Sequence, residues 1–322
     1  MGTKKKALIT GIAGFAGSYL AGHLLDNGYD VYGILAPGEK KDNIRPFEER
    51  LHLERFDILK PTRLAKMIKA TTPDYIFHLA AFSSVGRSFE NERLSYNINF
   101  FGTLNVFEAA VSLKSSLKKL VFISSADIYG TFTPKGKTLT EKQPYNPLSP
   151  YGISKVAGEL LARHYHRNKA IPIVIIRSFN HTGPGQTDTF VVPSFCRQIA
   201  LIERGRVKSI MRVGDLSASR DLSDVRDIVA GYRLAAIKGK PGETYQLCSG
   251  NSVSIKSVLD KLLKLSTADI KVQIDKSRFR KSDIPILKGD CSKSKRQLGW
   301  KMHYSLDKTL NDTLLYWRNI IG

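Results

Sequence analysis

Ala7-Leu-Ile-Thr10 runs straight into Gly11-Ile-Ala-Gly14-Phe-Ala-Gly17. A short apolar run, a glycine-rich turn and then an apolar helical pattern over residues 15–27 mark the opening of a βα unit. Glycines at these positions let the backbone turn tightly and approach a pyrophosphate, which amide donors at the helix N-terminus would hold. The unit recurs downstream. Asp30-Val-Tyr-Gly-Ile34, Asp74-Tyr-Ile-Phe-His78, Leu120-Val-Phe-Ile-Ser124 and Ile173-Val-Ile-Ile176 read as buried parallel strands, and helices are predicted over 61–70, 91–113 and 151–168. Right-handed crossovers wind such units into a doubly wound parallel α/β sheet.

The alternation loosens near Phe179, where Asn180-His-Thr-Gly-Pro-Gly-Gln186 is rich in turn formers. The sequence therefore predicts a dinucleotide-binding Rossmann domain over 1–178 and a smaller C-terminal α/β substrate domain over 179–322. The latter ends in a helix near 307–320, and a segment near 224–248 is expected to return to the first domain.

With 322 residues, 42% of them hydrophobic, the chain is long enough for real cores and is not disordered. Lys and Arg number 50 against 29 Asp and Glu, a formal charge of +21, which favours anionic ligands. The basic residues are dispersed. Only Lys276-Ser-Arg278-Phe-Arg280-Lys281 is concentrated enough to suggest an anion site. Cys196, Cys248 and Cys291 show neither metal nor disulfide spacing, which fits a reducing cytoplasm and a protein without a metal. The longest later apolar run, Ile171-Pro-Ile-Val-Ile-Ile176, is too short to span a bilayer, and no signal peptide is expected.

The chemistry is expected from three residues. Ser125 follows a predicted strand and so emerges at the carboxyl edge of the sheet, where this architecture binds ligands. Tyr151 and Lys155 are four apart on one predicted helix and share a face. A neighbouring ammonium would favour the phenolate, letting the pair exchange a proton with a substrate carbonyl or hydroxyl, while Ser125 bonds the same oxygen. His78, ending a buried strand, reads as a core residue. Gly33-Ile-Leu35-Ala-Pro37 supplies no carboxylate for a ribose, so Lys40, Lys41 or Arg45 would meet a 2′-phosphate and the cofactor leans towards NADP. Asp57 would accept from the adenine amino group.

Further motifs join these: His78-Leu-Ala-Ala81, Asn99-Phe-Phe-Gly-Thr103, Ser124-Ser-Ala-Asp-Ile-Tyr-Gly130 and Ser219-Arg-Asp-Leu-Ser-Asp-Val-Arg-Asp227. Together they resemble the nucleotide-sugar branch of the extended short-chain dehydrogenase/reductase family over essentially the whole chain. Arg177-Ser-Phe-Asn-His-Thr-Gly-Pro-Gly-Gln186, Phe190-Val-Val-Pro and Phe279-Arg-Lys-Ser-Asp-Ile-Pro285 are most similar to the members that act on GDP-mannose and its 4-keto-6-deoxy derivative.

The resemblance implies NAD(H) or NADP(H) held by Gly11, Gly14, Phe15, Ala16, Gly17, Asp57, Ile58, Leu79, Ala80, Ala81, Asn99 and Ser124, with Tyr151 and Lys155. It implies a GDP-linked sugar held by Ser84, Asn180, Val191, Arg220, Arg280 and Asp283, and a homodimer formed through helices 91–113 and 151–168. In Ser125-Ala126-Asp127 the sequence departs from the dehydratases, which resemblance says place Glu at the last position to remove the sugar's C5 proton. Asp127 is one methylene shorter, and misplacement by about 1 Å can cost ~100-fold in rate. Reduction at C4 is therefore expected, with 4,6-dehydration or 4-epimerisation as alternatives. RNA binding on a borrowed fold is a minor alternative, prompted by the charge.

Overall fold

The computed structural model describes residues 4–113, 116–131, 138–279 and 284–322. The chain begins with β1 (Lys6–Thr10), α1 (Phe15–Asp26), β2 (Asp30–Leu35), β3 (Leu51–Arg55), α2 (Pro61–Thr71) and β4 (Tyr75–His78). Three helices follow, α3 (Val85–Glu90), α4 (Glu92–Tyr96) and α5 (Gly102–Val111), and then β5 (Lys119–Ser125), α6 (Pro150–Lys169) and β6 (Ile173–Ser178). Next come β7 (Asn180–Thr182), α7 (Val191–Glu203), β8 (Ile210–Val213), β9 (Ser219–Asp224), α8 (Val225–Lys238) and β10 (Thr244–Leu247). The last elements are β11 (Ser252–Ser254), α9 (Ile255–Leu265), β12 (Lys271–Ile274), α10 (Ser292–Leu298) and α11 (Leu306–Ile321).

Seven strands form one sheet in the order β10-β6-β5-β4-β1-β2-β3, and every neighbouring pair is parallel. The order reverses between β1 and β4, the switch point where doubly wound sheets open a crevice at their carboxyl ends. Such a sheet is covered on both faces, which is why its strands read as apolar runs. One core, including Ile9, Val31, Phe77 and Val121, lies on one face; Leu8, Ile76, Leu120 and Phe122 turn to a second core on the other. The chain also returns to this sheet from its second half, with α8 packing on α1 and β10 pairing with β6. A third core, including Phe195, Ile199, Leu259 and Leu314, lies among α7, α9 and α11. Beside it are the small sheets β11-β9-β7 and β12-β8.

Two local features position the site. Ser149 caps α6, its Oγ accepting from the Gly152 N–H at 3.0 Å, and Pro150 occupies the first turn, where no helical N–H partner is needed. The continuous helix expected over 91–113 is interrupted: α4 passes through a π-helical turn, Asn97–Phe101, before α5. Asn99 supplies the reason. Its Oδ1 accepts from the Phe82 N–H at 2.7 Å and its Nδ2 donates to Ser154 Oγ at 2.9 Å, tying this turn to α6 and to the loop after β4. Such single π turns recur beside functional sites.

No helix among the described residues is long and apolar enough to cross a membrane. The three cysteines are buried free thiols. Although Cys248 and Cys291 are distant in sequence, the fold brings them together, and the hydrogen bond from Cys248 is the main cause that lowers the Cys291 thiol to about 7.

Candidate active site

A cavity of about 780 Å³ opens at the carboxyl ends of β1, β2, β4, β5 and β6 and extends to α7 and the loop before β9. Its dinucleotide end is made of backbone. Gly11 has φ +72°, and a Cβ there would meet Ala80 Cα at 2.9 Å; one on Gly17 would meet the Gly11 carbonyl oxygen at 2.1 Å. Gly14 caps α1 without any side-chain bond, and Gly14, Phe15, Ala16 and Gly17 all line the cavity. Uncapped amides at a helix N-terminus beside side-chain-free backbone form a cradle that fits a pyrophosphate.

The adjoining wall is Leu79, Ala80 and Ala81, and Asp57 and Ile58 also line the cavity. Thr10 Oγ1 accepts from the Ala80 N–H at 3.1 Å and bonds His78 Nδ1 at 2.7 Å, while His78 Nε2 bonds Thr103 Oγ1 at 2.8 Å. Burial, aided by the Lys155 ammonium, pushes His78 down to about 3, so it is a neutral brace for this wall. Asp57 Oδ1 accepts from the Leu59 N–H at 2.9 Å. Asn99 is not on the cavity wall; its carboxamide braces the wall from behind.

The basic residues expected at a 2′-phosphate are also elsewhere. Lys40, Lys41 and Arg45 do not line the cavity; Lys41 pairs with Glu48, and Arg45 reaches Asp42 at 3.5 Å. Ala36 and Glu39 occupy that rim instead.

At the reactive end, Ser125 leaves β5 and its Oγ donates to Asp127 Oδ2 at 2.8 Å while accepting from the Asp127 N–H at 3.1 Å. The Tyr151 hydroxyl is hydrogen-bonded to Ser125. Lys155 Nζ donates to the Ile123 carbonyl at 2.8 Å and stands 5.8 Å from the Tyr151 ring centre. Spacing alone suggested that this ammonium would acidify Tyr151, and the structure corrects that. Burial raises the phenol well above its usual value, the Asp127 carboxylate raises it further, and the Ser125 bond offsets only part of this. Burial also lowers Lys155 to about 8, against an upward pull from Glu159.

Glu159, one further turn along α6 on the face of Tyr151 and Lys155, went unrecognised in the sequence. It is fully buried and takes a bidentate pair from Arg177, at 2.9 Å from Nε and 2.8 Å from Nη2. It also accepts from Ser124 Oγ at 2.7 Å and Tyr145 OH at 2.9 Å. Arg177 Nη1 donates in turn to Tyr129 OH at 2.7 Å and to the Glu141 carbonyl at 2.9 Å. The spacing Tyr151-x-x-x-Lys155-x-x-x-Glu159 was the available signal, but Arg177 comes from another strand.

At the far end the cavity is lined by Ser84, Asn180, Val191, Arg220 and Arg278, so two guanidinium-bearing residues border it. Arg220 donates from Nη1 to the Ser219 carbonyl at 3.0 Å. Arg280 and Asp283 lie outside the described residues.

A family model described as GDP-mannose 4,6 dehydratase matches residues 8–313. The GDP-6-deoxy-D-mannose reductase of Pseudomonas aeruginosa is 28% identical over 315 residues, covering 98% of each chain. The GDP-mannose 4,6-dehydratase of Sinorhizobium fredii is 28% identical, over 95% of this chain and 94% of its own. Among solved structures, RMD from Pseudomonas aeruginosa complexed with NADPH superposes with a TM-score of 0.85 at 28% identity, covering 98% of this chain and all of the other. The UDP-glucose 4-epimerase of Thermotoga maritima with UDP-glucose reaches 0.89 at 27% identity, with the same coverage. With its glycine cradle, its Ser125-Tyr151-Lys155 cluster and a family match over nearly its whole length, the chain belongs to the GDP-mannose 4,6-dehydratase family, NAD(P)-dependent nucleotide-sugar enzymes of the extended short-chain dehydrogenase/reductase type.

Proposed function

We propose that this enzyme reduces the 4-keto group of a GDP-linked 6-deoxyhexose, GDP-4-keto-6-deoxymannose, to give GDP-rhamnose. The observation that carries the reading is the buried Tyr151 phenol set against Ser125 and Asp127: burial, and then the Asp127 carboxylate, hold it protonated while Ser125 offsets only part of this. A group that begins as an acid suits reduction, in which an alkoxide must be protonated. A dehydratase needs a carboxylate to take the C5 proton, whereas Asp127 Oδ2 accepts from the Ser125 hydroxyl, whose Oγ in turn accepts from the Asp127 N–H.

The dinucleotide cradle fits NAD(P)H, which when bound supplies hydride to the carbonyl carbon. Ser125 turns its one O–H from Asp127 to the carbonyl oxygen, and Tyr151 releases its proton to that oxygen as negative charge develops there. Lys155, with one N–H on the Ile123 carbonyl, has donors left for the nicotinamide ribose, and solvent reprotonates the phenolate left behind. Residues 1–178 with the returning segment near 224–248 serve the dinucleotide, and the rest of 179–322 serves the sugar nucleotide. Asn180 and Arg220 bind its diphosphate, where a guanidinium fork matches phosphate oxygens. The buried thiols suit a reducing cytoplasm.

The test follows the absorbance of reduced nicotinamide. Oxidation with the 4-keto-6-deoxy sugar nucleotide, and none with GDP-mannose, supports the reductase. Conversion of GDP-mannose without net oxidation would replace it with the dehydratase.

A pH dependence follows from Lys155. Its ammonium deprotonates as pH rises through about 8, removing the charged donor that holds the nicotinamide ribose in place. We expect kcat/KM to be level near neutrality and to fall above pH 8, as measured with saturating reduced cofactor. A level profile to pH 10 would contradict this role.

The proposed homodimer has a surface to use. Leu94, Phe101, Ile153 and Leu160 are exposed on α4, the π turn and α6, with Phe101 at 51% and Leu160 at 54%. Sedimentation should give a dimer for the native chain and a folded monomer for Phe101→Asp/Leu160→Asp; a native monomer would reject it.

A further inference from the structure

The rim of the dinucleotide cavity carries a carboxylate that sequence position conceals. Glu39 lies four residues beyond the end of β2, too far along an extended chain to act at the strand tip. Ala36-Pro37-Gly38-Glu39 folds it back: the Glu39 N–H donates to the Ala36 carbonyl at 3.2 Å, and Gly38 has φ +73°. Proline second and a left-handed glycine third are what a type II turn requires. Glu39 Oε2 then accepts from the Ala36 N–H at 2.9 Å, placing its carboxylate at the first residue after β2. The turn is braced from β3, where Arg55 Nη1 donates to the carbonyls of Ala36 at 2.7 Å and Glu39 at 2.9 Å. Ile34, Ala36, Glu39, Asp57 and Ile58 share this stretch of wall.

Resting on the dinucleotide reading of the cradle, we infer that Glu39 selects NAD(H) over NADP(H), its carboxylate accepting from the hydroxyls of the adenosine ribose and repelling a 2′-phosphate. A carboxylate at the tip of the second strand recognises an unmodified ribose, and a 2′-phosphate brings negative charge against it. The opposing cations are accounted for. Lys41 pairs with Glu48, Arg45 with Asp42, and Lys40 is not on the wall. Arg55 reaches the turn from β3, with Nη1 engaged on two of its carbonyls. Burial pushes the Glu39 carboxyl up, while the Ala36 bond and Arg55 favour its ionised form.

Calorimetric titration of the full chain with NAD⁺ and NADP⁺ tests this without any sugar. The native protein should bind NAD⁺ more tightly by about tenfold or more, about 1.4 kcal/mol. Glu39→Gln keeps an oxygen for the Ala36 N–H but loses the charge, and Glu39→Ala loses both. Each should bring the two affinities within a few-fold, chiefly by tightening NADP⁺, because Arg55 is then unopposed. Native NADP⁺ binding as tight as NAD⁺, or a ratio unchanged in Glu39→Gln, would overturn the inference. Either result leaves carbonyl reduction standing, and a wrong sugar assignment leaves these affinities untouched.

Discussion

Tyr151→Phe should leave a folded protein that still binds dinucleotide, with turnover of the 4-keto sugar lowered by about 10²–10⁴-fold, the span expected for loss of a positioned general acid. The substitution removes one oxygen and keeps the ring, which is buried beneath Lys155 and packed at the start of α6. What is lost is the proton donor and the first link of the chain to Ser125 and Asp127. KM and thermal stability should move little, because the change acts on the reacting oxygen alone. Turnover within tenfold of the native enzyme would remove Tyr151 from the proton-transfer step.

The second large effect is on stability. Glu159→Ala would leave the Arg177 guanidinium buried without its carboxylate, and breaking a buried pair by removing one partner costs about 3–5 kcal/mol. Arg177 keeps its hydrogen bonds to Tyr129 and the Glu141 carbonyl, and Ser124 and Tyr145 each lose an acceptor. Urea unfolding should show this loss with an unchanged slope. Glu159→Gln, which retains an acceptor for Arg177, should cost less. If Glu159→Ala unfolds within 1 kcal/mol of the native chain, the pair is not the structural floor beneath Ser124.

What could be read from the sequence was local. The glycines of 11–17 answer to backbone demands within a single strand, turn and helix, so their spacing announced the cradle and with it the parallel sheet. Tyr151 and Lys155 are neighbours by helix geometry alone, and Ser125 by its place after a strand. The misreadings came where partners arrive from afar. Asn99 looks like one residue of a continuous helix until Phe82 and Ser154 draw it into a π turn. The expected acidification of Tyr151 assumed that Lys155 serves the phenol, yet its ammonium is claimed by the Ile123 carbonyl and the charge that acts on the phenol is Asp127. Glu39 was hidden for the opposite reason. Its turn is local and its Pro-Gly signature was visible, but position along the chain was taken for position in space.

The most direct measurement of the central claim is transfer of deuterium from nicotinamide deuterated at its transferable position to the 4-keto-6-deoxy sugar nucleotide, read by NMR of the product. The account predicts one deuterium, bound to C4, in a single configuration, with one reduced cofactor consumed per product. Product formed with no deuterium at C4, or without net consumption of the cofactor, would contradict it.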